Sequence, residues 1–153
     1  MSDILNAIGN TPIVKLKKIV PIGCGEIYVK LEAFNPTGSK KDRMALSMIS
    51  EAEKRGVLKK GMTVVEYSGG STGAGLAFVC SLKGYNFRLV TADVFGKEKI
   101  DLMRSLGANL EIIKSSDGKI NKELITKMIK KADQISKEPN TFFTNQLNNT
   151  DVI

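Results

Sequence analysis

The feature that most constrains the fold is a regular alternation of short apolar runs and helical patterns from residue 63 to residue 146. Strands that alternate with helices of this length predict a parallel sheet with helices packed on its faces. The predicted strands are "TVVEYS", "FRLVTA", "NLEIIK" and "TFFTNQ", and the predicted helices are "TGAGLAFVCSLKG", "KEKIDLMRSLG" and residues 120–135. The expected fold class is α/β, a three-layer parallel sheet with flanking helices.

The residues before this alternation predict a different local structure. The first 35 residues contain two short strand-like runs, "PIVKL" and "EIYVKL", separated by the turn sequence "PIGCG". A helix is predicted from about Ser39 to Arg55, with Gly56 as its end. Its apolar face consists of Met44, Ala45, Met48, Ile49 and Ala52.

The beginning of this helix contains two adjacent lysines. Ser39 and Asp42 match the S-x-x-[DE] pattern of a capping box. Lys40 and Lys41 then fall in the first turn, where the positive end of the helix dipole disfavours a cation by roughly 0.3–1 kcal/mol. We therefore expect a requirement other than helix stability to retain one of these lysines.

The composition excludes several kinds of catalytic site. The chain has no histidine, which rules out Ser-His-Asp and Cys-His catalysis and histidine-ligated metal sites. Its two cysteines, Cys24 and Cys80, form no metal-binding or redox spacing, and no metal site is predicted. Catalysis is left to lysine, carboxylates, hydroxyls, backbone amides or a cofactor.

The charge and hydropathy indicate a protein that binds neither nucleic acid nor membranes. The 23 basic and 16 acidic residues give a net charge of +7, but the lysines are scattered and few aromatic residues accompany them. Ordinary solvated surface explains this charge better than a nucleic-acid partner. No apolar run reaches the roughly 18 residues of a membrane span, and the N-terminus lacks the features of a secretory signal. A cytoplasmic location is expected.

A glycine-rich loop, "SGGSTGAG" at residues 68–75, joins a predicted strand to the next helix. Backbone N–H groups and a helix N-terminus in such a loop favour a small anion, either a carboxylate or a phosphate. The loop does not match the Walker pattern, and it fails the G-x-G-x-x-G pattern because Phe78 stands where the third glycine would be. Asp93 follows the next strand at about the distance expected of a dinucleotide-binding site, so that interpretation stays open. A glycine-rich turn that binds no ligand is the other alternative.

Four segments together resemble one enzyme family. They are "IGNTPIVKL" at 8–16, "VKLEAFNPTGSKKDRMA" at 29–45, "VEYSGGSTGAGLA" at 65–77 and "NQLNNTD" at 145–151. In this order and spacing they resemble the cysteine synthase (O-acetylserine sulfhydrylase) and cystathionine β-synthase group of pyridoxal phosphate enzymes. The resemblance implies the tryptophan synthase β-like fold of such enzymes, of which this chain is similar to the N-terminal half.

The resemblance assigns a role to one of the paired lysines. By the S-x-K-D-R register, Lys41 matches the family lysine that forms a Schiff base with pyridoxal phosphate and later removes the substrate's α-proton. Lys40 is expected to face solvent. A nucleophilic amine must be partly neutral, and a positive helix end beside a second cation favours the neutral form.

The resemblance also assigns the glycine loop to the substrate. In the family this loop binds the α-carboxylate of an amino acid, and the reaction is β-replacement on O-acetylserine or a related amino acid. The residues implied to bind substrate are Ser68, Gly69, Gly70, Ser71, Thr72 and Gln146. The implied cofactor-binding residues are Lys41 and Ser71.

The loop departs from the usual family sequence T-S-G-N-T-G at two positions. Ser71 stands in place of an asparagine that contacts the cofactor's 3′-oxygen, and Gly69 stands in place of a serine. A serine hydroxyl is shorter than an asparagine side chain, but it is still expected to reach the oxygen, directly or through water. The preferred substrate is therefore left open between O-acetylserine and a related amino acid.

The resemblance also predicts that the site is incomplete. Residues 36–141 would form the smaller domain, and residues 1–35 and 142–153 the edge of a larger one whose phosphate-binding loop lies elsewhere. Exposed apolar surface is expected, and the cofactor is expected to be weakly held or absent. Activity would then require a complementing C-terminal chain, and a homo-oligomer would cover the open face.

Two alternatives differ in class from an enzyme. The chain could be a non-catalytic fragment or a module that binds an amino acid or anion through the glycine loop. It could also be a regulatory partner of a full-length cysteine synthase, because the family binds the C-terminal isoleucine of serine acetyltransferase and this sequence ends in Ile153.

Overall fold

The computed structural model describes residues 3–152. Six strands and four helices alternate as the sequence predicts, and short 3-10 helices lie at Ile4–Ala7, Glu32–Phe34 and Thr150–Val152. The strands are β1 (Ile13–Lys15), β2 (Tyr28–Lys30), β3 (Thr63–Tyr67), β4 (Asn86–Ala92), β5 (Asn109–Ile113) and β6 (Thr141–Phe143). The helices are α1 (Lys41–Lys54), α2 (Ser71–Lys83), α3 (Lys97–Ser105) and α4 (Lys122–Ser136).

The main sheet is four-stranded and parallel, with the order β5-β4-β3-β6. Strand β3 is central and pairs with β4 on one side and with β6 on the other. Strands β1 and β2 form a separate antiparallel pair in which Val14 faces Val29 across the ladder. The carboxyl end of β3, which leads into the glycine loop, therefore lies in the middle of the sheet.

Helices cover both faces of the main sheet. Helix α2 lies against one face with α1 and α3 packed on it, and α4 covers the other face. Because α2 is enclosed on several sides, its buried residues are nearly all small or apolar, from Thr72 through Ala77 and again at Val79 and Cys80. The expected α/β class with three layers is confirmed. None of the helices formed by residues 3–152 is long and apolar enough to cross a membrane.

The start of α1 differs from the predicted capping box. The helix begins at Lys41 rather than Ser39, and the Lys41 N–H donates a hydrogen bond of 3.1 Å to Ser39 Oγ. The Asp42 carboxylate does not return to Ser39. It accepts the Thr37 N–H at 2.7 Å and the Thr37 hydroxyl, because Gly38 at a φ of +78° folds Thr37 back over the helix end.

The C-terminal residues pack on both the sheet and α1. Phe142 and Phe143 pair with Val64 and Val65, so the predicted boundary at residue 142 falls inside β6. The 3-10 helix at residues 150–152 contacts α1, and Asp151 accepts both guanidinium branches of Arg55. The division of the chain into a smaller domain and the edge of a larger one stays a prediction.

Candidate active site

Lys41 is the first residue of α1, and its side chain is partly buried while that of Lys40 is exposed. The Lys41 ammonium lies 3.7 Å from Met44 Sδ, one helical turn along. Within residues 3–152 no carboxylate lies at ion-pair distance from Lys41, whereas many surface lysines pair with acids. An amine without an acidic partner is available for another contact.

The arginine of the K-D-R string has a structural contact. Arg43 Nε donates to Glu32 at 2.8 Å, and its Nη2 donates to Glu32 at 3.0 Å and to Thr11 Oγ1 at 3.0 Å. These bonds hold the pKa of Glu32 well below its ordinary value, at about 2, chiefly through the Arg43 contact. Asn35, fully enclosed, accepts the Gly9 N–H at 2.8 Å. This network joins residues 9–11 and 32–35 to α1 and so fixes the start of the helix on which Lys41 lies.

The glycine loop is organised by Ser68. The Ser68 hydroxyl oxygen accepts the N–H groups of Gly70 at 3.1 Å and of Gly73 at 3.2 Å. These bonds turn the chain from β3 into α2, which begins at Ser71. The first N–H groups of a helix have no intrahelical acceptor, so the groups of Ser71 and Thr72 lie at an end suited to an anion.

Helices α1 and α2 approach closely at the position of Lys41. A β-carbon at Gly75 would lie 3.0 Å from the Lys41 carbonyl oxygen and 3.2 Å from Asp42 Oδ1. The absence of a side chain at Gly75 therefore allows the first turn of α2 to lie against the first turn of α1. In this way the two helix N-termini, one with the amine and one with the glycine loop, become neighbours.

Gln146 joins the loop from the far end of the chain. Thr72 Oγ1 donates to Gln146 Oε1 at 2.8 Å, and Gln146 Nε2 donates to the Tyr67 carbonyl at 3.2 Å. Because β6 lies beside β3, the segment that follows β6 passes the loop that follows β3. The residues predicted to bind substrate, 68–72 and Gln146, are thus brought together, although their roles stay predictions.

A cleft of about 300 Å³ runs beside this loop. It includes Gly70 and Ser71 from the loop and Ser39 from the residues before α1. Lys41 is not among the residues that line this cleft; it lines a second cavity with Met44 and Val152. The Ser71 residue is exposed, so its hydroxyl is accessible to a ligand. Lys99 of α3 also lines the cleft, and nothing in the pattern of α3 distinguished it from the other lysines of that helix.

Gly69 is glycine because an aromatic ring occupies the adjacent space. A β-carbon at position 69 would overlap the ring of Phe95, which lies just beyond β4. The departure from the serine usual at this position thus has a local structural reason. Position 69 offers only backbone groups to a ligand, with the Phe95 ring as the neighbouring wall.

Two other residues singled out by the sequence have ordinary surroundings. Asp93 accepts the Ser115 N–H at 2.9 Å. Its carboxylate therefore has a hydrogen-bond partner within the protein and does not need the ribose of a dinucleotide to explain it. Cys80 is fully buried, and burial raises the pKa of its thiol far above the ordinary value, as expected for an inert core cysteine.

Glu66, which lies two residues before Ser68, is not among the residues predicted to form the site. It is fully buried at the end of β3 and accepts hydrogen bonds from Tyr67, Thr144 and Gln146. The signal was present, because a glutamate in the apolar run "TVVEY" must have partners if the strand is buried on both faces.

The fold and site together define a class of protein: a parallel α/β unit in which a lysine with no acidic partner among residues 3–152 and a glycine-rich loop occupy adjacent helix N-termini. Residues 4–153 match the family described as "Pyridoxal-phosphate dependent enzyme". The chain belongs to this family. The resemblance to the cysteine synthase group is confirmed by its relatives.

The relatives include a cysteine synthase of Staphylococcus aureus, which is 40% identical over 149 residues, or 97% of this chain and 46% of the relative. Cysteine synthase B of Salmonella typhimurium is 47% identical over 118 residues, or 77% of this chain and 39% of the relative. The chain therefore spans less than half the length of these two relatives.

Solved structures have the same fold. A hydrogen sulfide-producing enzyme of Fusobacterium nucleatum superposes with a TM-score of 0.87 at 38% identity, over 99% of this chain and 47% of that one. An O-ureido-L-serine synthase superposes with a TM-score of 0.85 at 38% identity, over 99% of this chain and 46% of that one. The whole of the described fold thus corresponds to about half of each structure.

Proposed function

We propose that this chain is the N-terminal part of a cysteine synthase-like enzyme that catalyses β-replacement on O-acetylserine or a related amino acid with pyridoxal phosphate. The observation that carries the proposal is the contact between α1 and α2 at Gly75, where the backbone of Lys41 packs against the helix that follows the glycine loop. An amine and a carboxylate-binding loop must be neighbours if they are to hold the same amino acid.

The donor groups in this chain fit part of pyridoxal phosphate. Lys41 offers an amine without an acidic partner among residues 3–152, and Ser71 offers an accessible hydroxyl. The bound cofactor would supply an electron sink that stabilises the negative charge left at the α-carbon when its proton is removed. Lys41 would anchor the cofactor and accept that proton at Nζ. The phosphate-binding loop would come from the remainder of the enzyme.

The glycine loop would hold the substrate's α-carboxylate. The N–H groups of Ser71 and Thr72 lie at the positive end of α2, and the side-chain amide of Gln146 lies beside Thr72. Fixing the carboxylate there would orient the α-proton toward Lys41. The two departures, Gly69 and Ser71, alter the surface around the amino acid. The β-substituent is proposed to be the acetoxy group of O-acetylserine, which leaves as acetate, or a related group.

The β1–β2 pair supports the need for further protein. An isolated two-stranded sheet is only marginally stable in water. Ile13 is 63% exposed and Phe34 is 66% exposed, and Val14, Tyr28 and Val29 are exposed as well. We propose that the rest of the larger domain covers this surface, supplied by a complementing C-terminal chain. A second copy of this chain covering the same face is the alternative.

The proposal is tested by labelling. The purified chain is mixed with pyridoxal phosphate, its visible spectrum is recorded, and borohydride is added to make the lysine–cofactor bond permanent. Mass spectrometry then maps the modified lysine. We expect the label on Lys41, its loss in Lys41→Ala and its retention in Lys40→Ala. Label spread over Lys40 and the surface lysines of the unsubstituted chain, and unchanged in Lys41→Ala, would overturn the cofactor role.

The alternative classes give different results in solution. Binding of O-acetylserine with no cofactor label would favour an amino-acid-binding module that uses the same loop. The regulatory reading depends on Ile153, which lies outside the described residues. Fast β-replacement by the 153-residue chain alone would contradict the proposal that the site is incomplete.

A further inference from the structure

Glu66 is a fully buried carboxylate at the centre of the sheet. Its Oε1 accepts the Tyr67 N–H at 2.9 Å, and its Oε2 accepts the Thr144 hydroxyl at 2.7 Å and the Gln146 N–H at 2.9 Å. A buried charge without such donors would be strongly destabilising. Burial raises the pKa of Glu66 above its ordinary value, and the three hydrogen bonds oppose that rise.

Two of these bonds fix an unusual turn. Asn145, between the two donors Thr144 and Gln146, has a φ of +46°, which is uncommon for a residue other than glycine. This conformation places the Thr144 side chain and the Gln146 backbone on the same carboxylate oxygen. The chain leaves β6 at this point, where the Thr144 N–H also donates to the Val65 carbonyl at 3.1 Å, so the carboxylate of Glu66 is one of the groups that hold the segment after β6.

The same segment carries the side chain that reaches the glycine loop. The backbone N–H of Gln146 is bound by Glu66, while its side chain accepts from Thr72 at 2.8 Å and donates to the Tyr67 carbonyl at 3.2 Å. Gln146 is therefore held at both ends. Without the bond to its backbone, the Gln146 side chain would have to keep its place against Thr72 on a segment held only by the bonds on either side of Gln146, such as that from Asn149 Nδ2 to the Thr144 carbonyl.

We propose that Glu66 is a positioning residue: its carboxylate holds the Thr144–Gln146 turn so that the Gln146 amide lies on the carboxylate-binding loop. The inference rests on the proposed function, since it assigns to Gln146 a contact with the amino acid substrate. If Glu66 only stabilised the sheet, its replacement would lower the free energy of unfolding and would weaken substrate binding independently of Gln146. A positioning residue acts on the substrate only through Gln146.

The test is a double-mutant cycle with Glu66→Gln, Gln146→Ala and the double variant. The isotope-labelled chain, mixed with pyridoxal phosphate, is titrated with O-acetyl-L-serine, and the backbone amides of residues 71 and 72 report the affinity. Each single variant is expected to bind about tenfold more weakly, the size expected for loss of one contact to a charged group. The double variant should bind no more weakly than Gln146→Ala alone.

Independent effects would overturn the proposal. If the two losses multiply in the double variant, Glu66 does not act through Gln146. The control variant is Glu111→Gln, which removes a carboxylate bonded to Arg88 elsewhere in the same sheet and should leave the affinity unchanged. The amide shifts of α4 show whether each variant keeps the fold.

A measurement without substrate separates this inference from the proposed function. In the unliganded chain, the chemical shifts of the two side-chain amide protons of Gln146 should differ from those of an exposed glutamine, because both the carbonyl oxygen and the NH2 group of that amide are hydrogen-bonded. In Glu66→Gln they should move to the shifts of an exposed glutamine. If O-acetyl-L-serine binds to no variant but this change is seen, the substrate assignment fails and the positioning by Glu66 stands. Unchanged Gln146 shifts would overturn the positioning itself.

Discussion

The carbonyl oxygen of Lys41 lies against Gly75, so that a β-carbon on Gly75 would be 3.0 Å from it. A contact this short requires a neighbour to shift, and the neighbour here is the backbone that carries the amine. The position of the Lys41 backbone relative to α2 thus depends on the absence of a side chain at Gly75, where the two helices touch.

Replacement of Gly75 by alanine should displace the start of α1. We expect the free energy of unfolding to fall by about 1–3 kcal/mol, because an extra methyl group enters a packed interface. Pyridoxal labelling of Lys41 should fall as well. Urea unfolding and labelling yields measure the two effects, and Ser81→Ala, at an exposed position of the same helix, is the control. Normal labelling of Lys41 in Gly75→Ala would contradict this view of the site.

Serine at position 69 should be incompatible with the Phe95 ring. The variant Gly69→Ser is expected to lose about 1–3 kcal/mol of stability, since its β-carbon overlaps the ring unless the ring moves. Gly69→Ser combined with Phe95→Ala should be more stable than the sum of the two single effects predicts. Chemical denaturation of the four proteins completes the cycle. Additive losses would show that the ring does not select glycine.

The Glu32–Arg43 pair should make stability depend on pH in acid. The folded-state pKa of Glu32 is lowered from 4.5 to about 2, so its contribution is present above pH 4.5 and is lost as the pH falls toward 2. Wild type should be more stable than Glu32→Gln at neutral pH, and the difference should shrink through this window. Urea midpoints measured at several pH values give the difference. A constant difference between pH 6 and pH 2 would rule out this titration.

Asn145 should tolerate glycine better than alanine. A φ of +46° costs a residue with a β-carbon about 1 kcal/mol, whereas glycine adopts it freely. Asn145→Ala should therefore be less stable than Asn145→Gly and should broaden the amide signals of Gln146. Thermal unfolding ranks the two variants. Equal stability of the two would mean that the turn relaxes to another conformation in solution.

Much of the local structure follows from the sequence. The pattern predicted a helix at residues 120–135, and α4 spans Lys122–Ser136; it predicted a strand in "FRLVTA", and β4 spans Asn86–Ala92. Helix ends were predictable because Gly56, Gly84 and Gly107 all take a positive φ that other residues avoid. The capping box failed because Thr37, outside the local pattern, competes for the Asp42 carboxylate.

The sequence by itself determined the alternation of strands and helices, the two helix starts with Lys41 and the glycine loop, and the family to which the chain belongs. The tertiary structure decided that β6 pairs with β3, which brings Gln146 to Thr72 and gives Glu66 its donors. It also decided which side chain fills the space beside Gly69. Periodicity reports only which face of an element is buried. The partner that buries it is chosen by strand pairing and packing between residues far apart in the chain.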